Sequence, residues 1–203
     1  MIIKFLDIMS DFIEEYQIDT ELCKKIIEYF EETPNKWPGR AISKNSGTMV
    51  DKKVKDSTDS LLGGHLLNKY IEELCKCIPE YKKKYVYCDK QQAGWSINPN
   101  INIQRYLPGE GYHKLHFERP TCFGKLASRH LVFMTYLNDV TEGGETFFYY
   151  QNKKIQPRTG LTLIWPTDWT HTHCGIVSNT QTKYIATGWI CYTPHEPFYI
   201  LPM

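Results

Sequence analysis

Along the first third of the chain, hydrophobic positions recur at helical spacing; from about Val86 the spacing changes to the two-residue alternation of strands. Leu22, Cys23, Ile26, Ile27 and Phe30 fall on one face of a predicted helix. It opens after Asp19-Thr20, a good N-cap, and is stopped by Thr33-Pro34. A second stripe, Leu67, Tyr70, Ile71, Leu74 and Ile78, predicts a helix from about Ser60 to Pro79. Both stripes read as core-packing faces rather than partner sites. Between them, Asp51 to Ser57 has no periodicity and reads as an exposed connection, and Lys82-Lys83-Lys84 reads as a solvated end.

Beyond Val86 the turns come close together. Ile101 to Tyr106 alternates and leads through Pro108-Gly109-Glu110-Gly111 into Tyr112 to Glu118. Leu131 to Leu137 is nearly continuous in apolar residues and bounded by Asn138-Asp139, as expected of a strand buried on both faces. Gly143-Gly144 turns the chain into Thr146 to Tyr150, and Gly160 to Trp165 and Lys183 to Tyr192 complete the set of short strands. Helices first and strands afterwards predict an α+β single domain over 1–203, in which 1–90 is a mainly helical N-terminal support region and 91–203 is the strand-built core, with the helices packed on one sheet.

Length and composition allow this: 203 residues, 41% hydrophobic and 14% aromatic, are enough for a sizeable core. Lys plus Arg at 24 against Asp plus Glu at 23 leaves a formal charge of +1, so no global field draws the chain to nucleic acid or a membrane surface. Seven cysteines contain no Cys-x-x-Cys pair, and an odd number speaks against a closed disulfide framework. The opening Met1 to Asp7 turns acidic too early for a signal peptide, and no run of about 18 apolar residues exists. The expectation is a reduced, cytoplasmic protein with no membrane partner.

Chemistry concentrates in two stretches. On an extended backbone His116 and Glu118 point to the same face, and a histidine from a second strand would complete the 2-His-1-carboxylate triad that leaves positions open on ferrous iron. The candidate triad is His116, Glu118 and His173. His171 is its rival for the third place, because two residues apart on a strand share a face; the ten residues from His173 to Lys183, and the Gly175 that follows, favour His173. Lys183 lies in an apolar, β-rich run, and a buried lysine needs an anion. Cys174 reads as structural, since a thiolate suits zinc or copper better than an oxygen-activating iron. His65, His113, His130 and His195 have no carboxylate at metal spacing.

The order Tyr106, Tyr112, His116-x-Glu118, Arg129, Tyr136 to Val140, Gly143-Gly144-Glu145-Thr146, His173, Lys183 and Trp189 resembles the prolyl 4-hydroxylase-like 2-oxoglutarate- and Fe(II)-dependent dioxygenases, over about Ile101 to Tyr192. The resemblance implies a double-stranded β-helix, or jelly-roll, core. It makes His116, Glu118 and His173 the iron ligands and catalytic centre. Lys183 becomes the partner of the distal carboxylate of 2-oxoglutarate, with Tyr106 and Thr146 as further cosubstrate contacts, and Tyr112, Arg129 and Trp189 line the substrate side. Cofactors implied are Fe(II), 2-oxoglutarate and O2, with ascorbate as an optional addition. Two departures stand out: the family's His-x-Asp is His-x-Glu here, and His116 comes one residue later after Tyr112 than usual, with Leu115 at the expected position.

On this resemblance the chain hydroxylates a C–H bond, a peptidyl proline or another protein side chain, releasing succinate and CO2. A peptide or protein substrate is the expected partner. Two other readings compete. A nucleic-acid demethylase of the same superfamily commonly uses an arginine for the far carboxylate, and no Arg follows Arg158. A non-enzymatic jelly-roll binding module would keep the strands without the metal.

Overall fold

The computed structural model describes residues 10–43, 47–91 and 93–193; His195 lies outside them. Helix α1 (Thr20–Glu32) starts where the sequence places it: the Asp19 carboxylate accepts from the Glu21 backbone N–H at 2.9 Å, and the last turn closes with the Thr33 N–H on Tyr29 O. Helix α2 (Gly64–Lys84) starts later and runs further than the apolar stripe suggested. Ser60 belongs to a strand, and Gly64, at φ 62°, makes the break that an L side chain resists. Pro79 lies inside α2 rather than ending it; its cost is offset by the neighbours it leaves buried, Leu74, Cys77 and Tyr81.

In chain order the strands are β1 (Glu14–Gln17), β2 (Trp37–Pro38), β3 (Ala41–Ser43), β4 (Gly47–Met49), β5 (Lys55–Asp56), β6 (Thr58–Leu61), β7 (Trp95–Ile97) and β8 (Asn102–Tyr106). They continue as β9 (Gly111–Tyr112), β10 (Arg129–Tyr136), β11 (Thr146–Phe148), β12 (Lys153–Ile155), β13 (Leu161–Pro166), β14 (His173–Gly175) and β15 (Lys183–Tyr192). An antiparallel sheet runs β1-β13-β10-β15-β8-β6-β2, with β7 also on β15; a smaller one runs β12-β11-β14. The support region therefore supplies strands as well as helices.

Alternation along the central strands separates two cores. Leu131 and Phe133 of β10, Ile101 and Ile103 beside and within β8, and Ala186 and Ile190 of β15 pack against Leu22, Ile26 and Phe30 of α1 and Tyr70 and Leu74 of α2. Each of these leucines, isoleucines and phenylalanines contributes about 1.5–3 kcal/mol on full burial. The opposite parity, Val132, Met134 and Tyr136 of β10 with Leu163 and Trp165 of β13, meets Phe148 and Ile155 of the small sheet. The two sheets thus face one another as a double-stranded β-helix, with α1 and α2 covering the outer face of the larger one. Among the described residues no helix is long and apolar enough to cross a membrane, and all seven cysteines are free.

Residues 51–57 depart from expectation. The stretch carries β5, and Lys55 and Ser57 are buried. Lys55 Nζ lies 2.6 Å from Asp59 Oδ2, and Ser57 Oγ donates to Asp59 Oδ1 at 2.7 Å. A polar run that neutralises itself in this way can be buried without any apolar period.

Candidate active site

The small sheet, the inner face of the large sheet and the segment after β9 enclose a cavity of about 540 Å³, within the size range of small-ligand sites. His116, Glu118 and His173 face into it, with their ligand atoms all within 4.8 Å of one another. The strand on which His116 and Glu118 were expected ends at Tyr112. His116 is instead bridged to β14: its N–H donates to His173 O, and the His173 N–H returns to His116 O, both at 2.9 Å. Two residues on, the Glu118 and Arg119 N–H groups both donate to Thr167 O at 3.0 Å. The carboxylate reaches its neighbours because each end of this bend is tied to a different element.

Hydrogen bonding fixes both rings. His116 Nδ1 lies 2.9 Å from Lys114 O and His173 Nδ1 lies 2.8 Å from His171 O. A carbonyl only accepts, so each Nδ1 carries a proton, and a neutral ring so held turns its Nε2 lone pair toward Glu118. The two Nε2 atoms stand 3.5 and 3.7 Å from Glu118 Oε1, inside the roughly 4 Å span of two bonds of about 2 Å to a shared ion. The donor set, two imidazole nitrogens and one carboxylate oxygen from one side, fits ferrous iron. Burial pulls the Glu118 carboxyl upward, but the His116 and His173 imidazoles and the Arg129 guanidinium outweigh it and hold the group at about 2. Burial, helped by His116, lowers His173 to about 4, so the ring is neutral at pH 7.

His171 is not brought to this group. It closes a 3-10 turn, Trp169–His171, instead of extending β14, and its ring is held by Asp11 O and Thr170 Oγ1, each at 2.9 Å. His130 is likewise engaged elsewhere, with Cys88 O and Tyr192 Oη. His113 is exposed. Cys174 lines the cavity near Lys183 but is not part of the ligand group.

Lys183 is 6% exposed and projects into the cavity from the start of β15. Its ammonium donates to Gly144 O at 2.8 Å and lies 5.1 Å from the Tyr106 ring centre. Gly175, two residues after His173, keeps the space beside it open: a Cβ there would sit 3.7 Å from Nζ. Burial lowers the Lys183 pKa from 10.5 to about 8, with Glu145 pulling the other way. Two buried lysines line this cavity. Lys55 is neutralised by Asp59, whereas no carboxylate comes within 4 Å of Lys183 among the described residues. Tyr106 Oη donates to Gln104 Oε1 at 2.5 Å, and Thr146 Oγ1 accepts from Tyr136 Oη at 2.6 Å, which leaves the threonine proton available.

Tyr112 stacks on His116 with ring centres 3.7 Å apart and planes 8° from parallel. Arg129 and Trp189 line the cavity as well, but both donate to Glu118 Oε2, at 3.1 and 3.0 Å. Sequence reasoning missed Gln104 and Asp59, and it assigned no contact to Tyr136 or to the Gly144 carbonyl. Gln104 had a usable signal, since on an alternating strand it shares a face with Tyr106.

The 2OG-Fe(II) oxygenase superfamily matches residues 101–191. A probable prolyl 4-hydroxylase 9 of Arabidopsis thaliana is 31% identical over 120 residues, which are 47% of this chain and 41% of that protein; the chain thus spans less than half the length of this curated relative. Among solved structures, the viral collagen prolyl hydroxylase of Paramecium Bursaria Chlorella virus-1, with 2-oxoglutarate, superposes with a TM-score of 0.65 at 19% identity, over 90% of this chain and 97% of that one. A prolyl hydroxylase of Trichoplax adhaerens, in complex with a hypoxia-inducible-factor peptide fragment, gives 0.67 at 16% identity, over 90% and 84%. These likenesses carry the fold, and the matched segment holds His116, Glu118, His173 and Lys183 in one cavity. By its matched segment, the chain carries a 2OG-Fe(II) oxygenase superfamily region over residues 101–191, on a fold similar to that of the prolyl hydroxylases.

Proposed function

We propose that the protein hydroxylates a C–H bond of a peptide or protein side chain, a peptidyl proline foremost, with Fe(II) held by His116, Glu118 and His173. The observation that carries this reading is the convergence of two bare Nε2 atoms and one ionised carboxylate oxygen on the cavity that also holds the carboxylate-free, buried Lys183. Fe(II) with 2-oxoglutarate and O2 supplies the oxidising power: the cosubstrate leaves as succinate and CO2, and one oxygen atom is available for the substrate's C–H bond. Everything else is the chain's own work. Lys183 pairs with the far carboxylate, and that charge-assisted bond is strong because the ammonium is buried and lacks another anion. Tyr106, under the ammonium, and Thr146, with its free proton, complete the grip on the cosubstrate. Phe148, Trp165 and Ile185, all buried around the triad and the lysine, exclude water from the reacting groups.

Tyr112, stacked over His116, forms the wall against which the substrate lies. The plant and viral relatives are prolyl hydroxylases by name, and the Trichoplax enzyme holds a peptide; that points to a peptide here too. Ascorbate as an accessory rests on the family resemblance alone. Incubating the protein with Fe(II), 2-oxoglutarate and a proline-rich peptide library tests the reading by mass spectrometry. Peptides carrying one added oxygen, absent when any component is withheld, are expected. Binding of Fe(II) and 2-oxoglutarate with oxygen added to no peptide would overturn the substrate class while leaving the cofactor site standing.

A further inference from the structure

We infer that Arg129 and Trp189 act as a clamp on Glu118, reserving its Oε1 for the metal and fitting the site to glutamate in place of aspartate. The inference rests on the metal site proposed above. Glu118 offers two oxygens, and the structure treats them differently. Oε1 faces the two imidazoles, whereas Oε2 accepts from Arg129 Nη1 at 3.1 Å and from Trp189 Nε1 at 3.0 Å. The same Nη1 also donates to the Glu118 backbone carbonyl at 2.8 Å, so one guanidinium grips both ends of the residue. Arg129 in turn sits over Trp189, its Cζ 3.4 Å from the ring centre.

Placing Arg129 there takes a specific backbone device. On β10 the cavity face belongs to Val132, Met134 and Tyr136, and plain alternation would send position 129 to the helix side with Leu131 and Phe133. The β10–β15 register shifts between Arg129 and Leu131. A bulge inserts one residue, reverses the parity and returns Arg129 to the cavity. Arg129 and Trp189 are therefore positioning residues that act through Glu118.

The departure from His-x-Asp explains the need. A glutamate has one more rotatable bond than an aspartate, and a free carboxylate on that stem could turn or present both oxygens to the ion. Two donors on Oε2 occupy its lone pairs and leave Oε1 as a single ligand. An aspartate at 118 would fall about one carbon–carbon bond short and could not meet the clamp and the imidazoles together.

Anaerobic titration of the metal-free protein with Fe(II) and with Co(II), whose visible spectrum reports its coordination, tests the clamp. Trp189→Phe keeps an aromatic ring under the guanidinium, smaller than the indole, and removes the Nε1 donor; Arg129→Gln removes the charge and the fork. Each is expected to weaken metal affinity by about 10 to 100-fold and to alter the Co(II) spectrum as Oε2 is released. In a Glu118→Asp background, where the acid no longer reaches the clamp, the same substitutions are expected to add less than about 2-fold. Equal losses in both backgrounds would show that they act on the fold and not through Glu118. Unchanged affinity and spectrum in both single variants would overturn the clamp while leaving the metal site intact. Failure of the wild-type protein to bind either ion would overturn the site itself and the clamp with it.

Discussion

Lys183 carries the cosubstrate reading at the scale of single residues. Replacing it by methionine is expected to weaken 2-oxoglutarate binding by about 2 to 5 kcal/mol while Fe(II) stays bound, because a buried carboxylate is left without its cation. Anaerobic titration of the iron-loaded variant checks this. Since burial lowers the free ammonium to about 8, affinity for the dianion should be level below that pH and fall above it as the proton is lost. The stability sign is the reverse. The unfolded lysine keeps its proton up to about 10.5, so between 8 and 10.5 the unfolded state binds more protons and the ligand-free protein gains stability with rising pH. Comparing denaturation of wild type and Lys183→Met across that window isolates the effect, and added 2-oxoglutarate should flatten it. The two neighbouring histidines separate cleanly: His173→Ala should abolish Fe(II) binding, whereas His171→Ala should cost about 1 to 3 kcal/mol of stability through its two ring contacts and change metal affinity by less than about 10-fold. Fe(II) titration beside a thermal melt distinguishes them. The candidate group was legible because two histidines, a carboxylate and a lysine are rare chemistry in an apolar setting. That His171 turns away was not, because a two-residue interval cannot tell an extended strand from a 3-10 turn.

Among the elements, the turn between β10 and β11 matters most to the site. Gly143 and Gly144 have φ of 71° and 79°, and a Cβ on Gly144 would lie 2.7 Å from Val140 Cγ1. Their backbone aims the Gly144 carbonyl at Lys183. Gly144→Ala should therefore destabilise the protein by about 1 to 3 kcal/mol and also loosen 2-oxoglutarate binding, two effects read from a melt and a titration of the same variant. Unchanged cosubstrate affinity would mean that the carbonyl does not position the lysine. Helix α1 was legible to its last residue because cap, stripe and proline agree. The start of α2 was not, because Ser60 continues the polar character of β6 and only the Gly63-Gly64 break marks the change. The stretch around Lys55 was misread as exposed for the opposite reason: a buried ion pair looks like a solvent-facing run until Asp59 is placed beside it.

Over the whole molecule, the switch from helical to alternating period announced the α+β layout, and the helices do cover one sheet. The pairing β8-β6-β2 was invisible, since it brings residues before 90 into the cavity wall by long-range hydrogen bonds that leave no local pattern. The seating of Glu118 was hidden likewise, because it depends on Thr167, Arg129 and Trp189 arriving from three distant strands or their ends. The most direct measurement of the central claim supplies isotopically heavy dioxygen to the protein with Fe(II), 2-oxoglutarate and a hydroxylatable peptide, and follows the label by mass spectrometry. One heavy atom in the succinate and one in the peptide, both lost in His173→Ala, is the result expected of a metal site that couples the two oxidations. Succinate and peptide both without label, in a folded protein that binds no Fe(II), would contradict it.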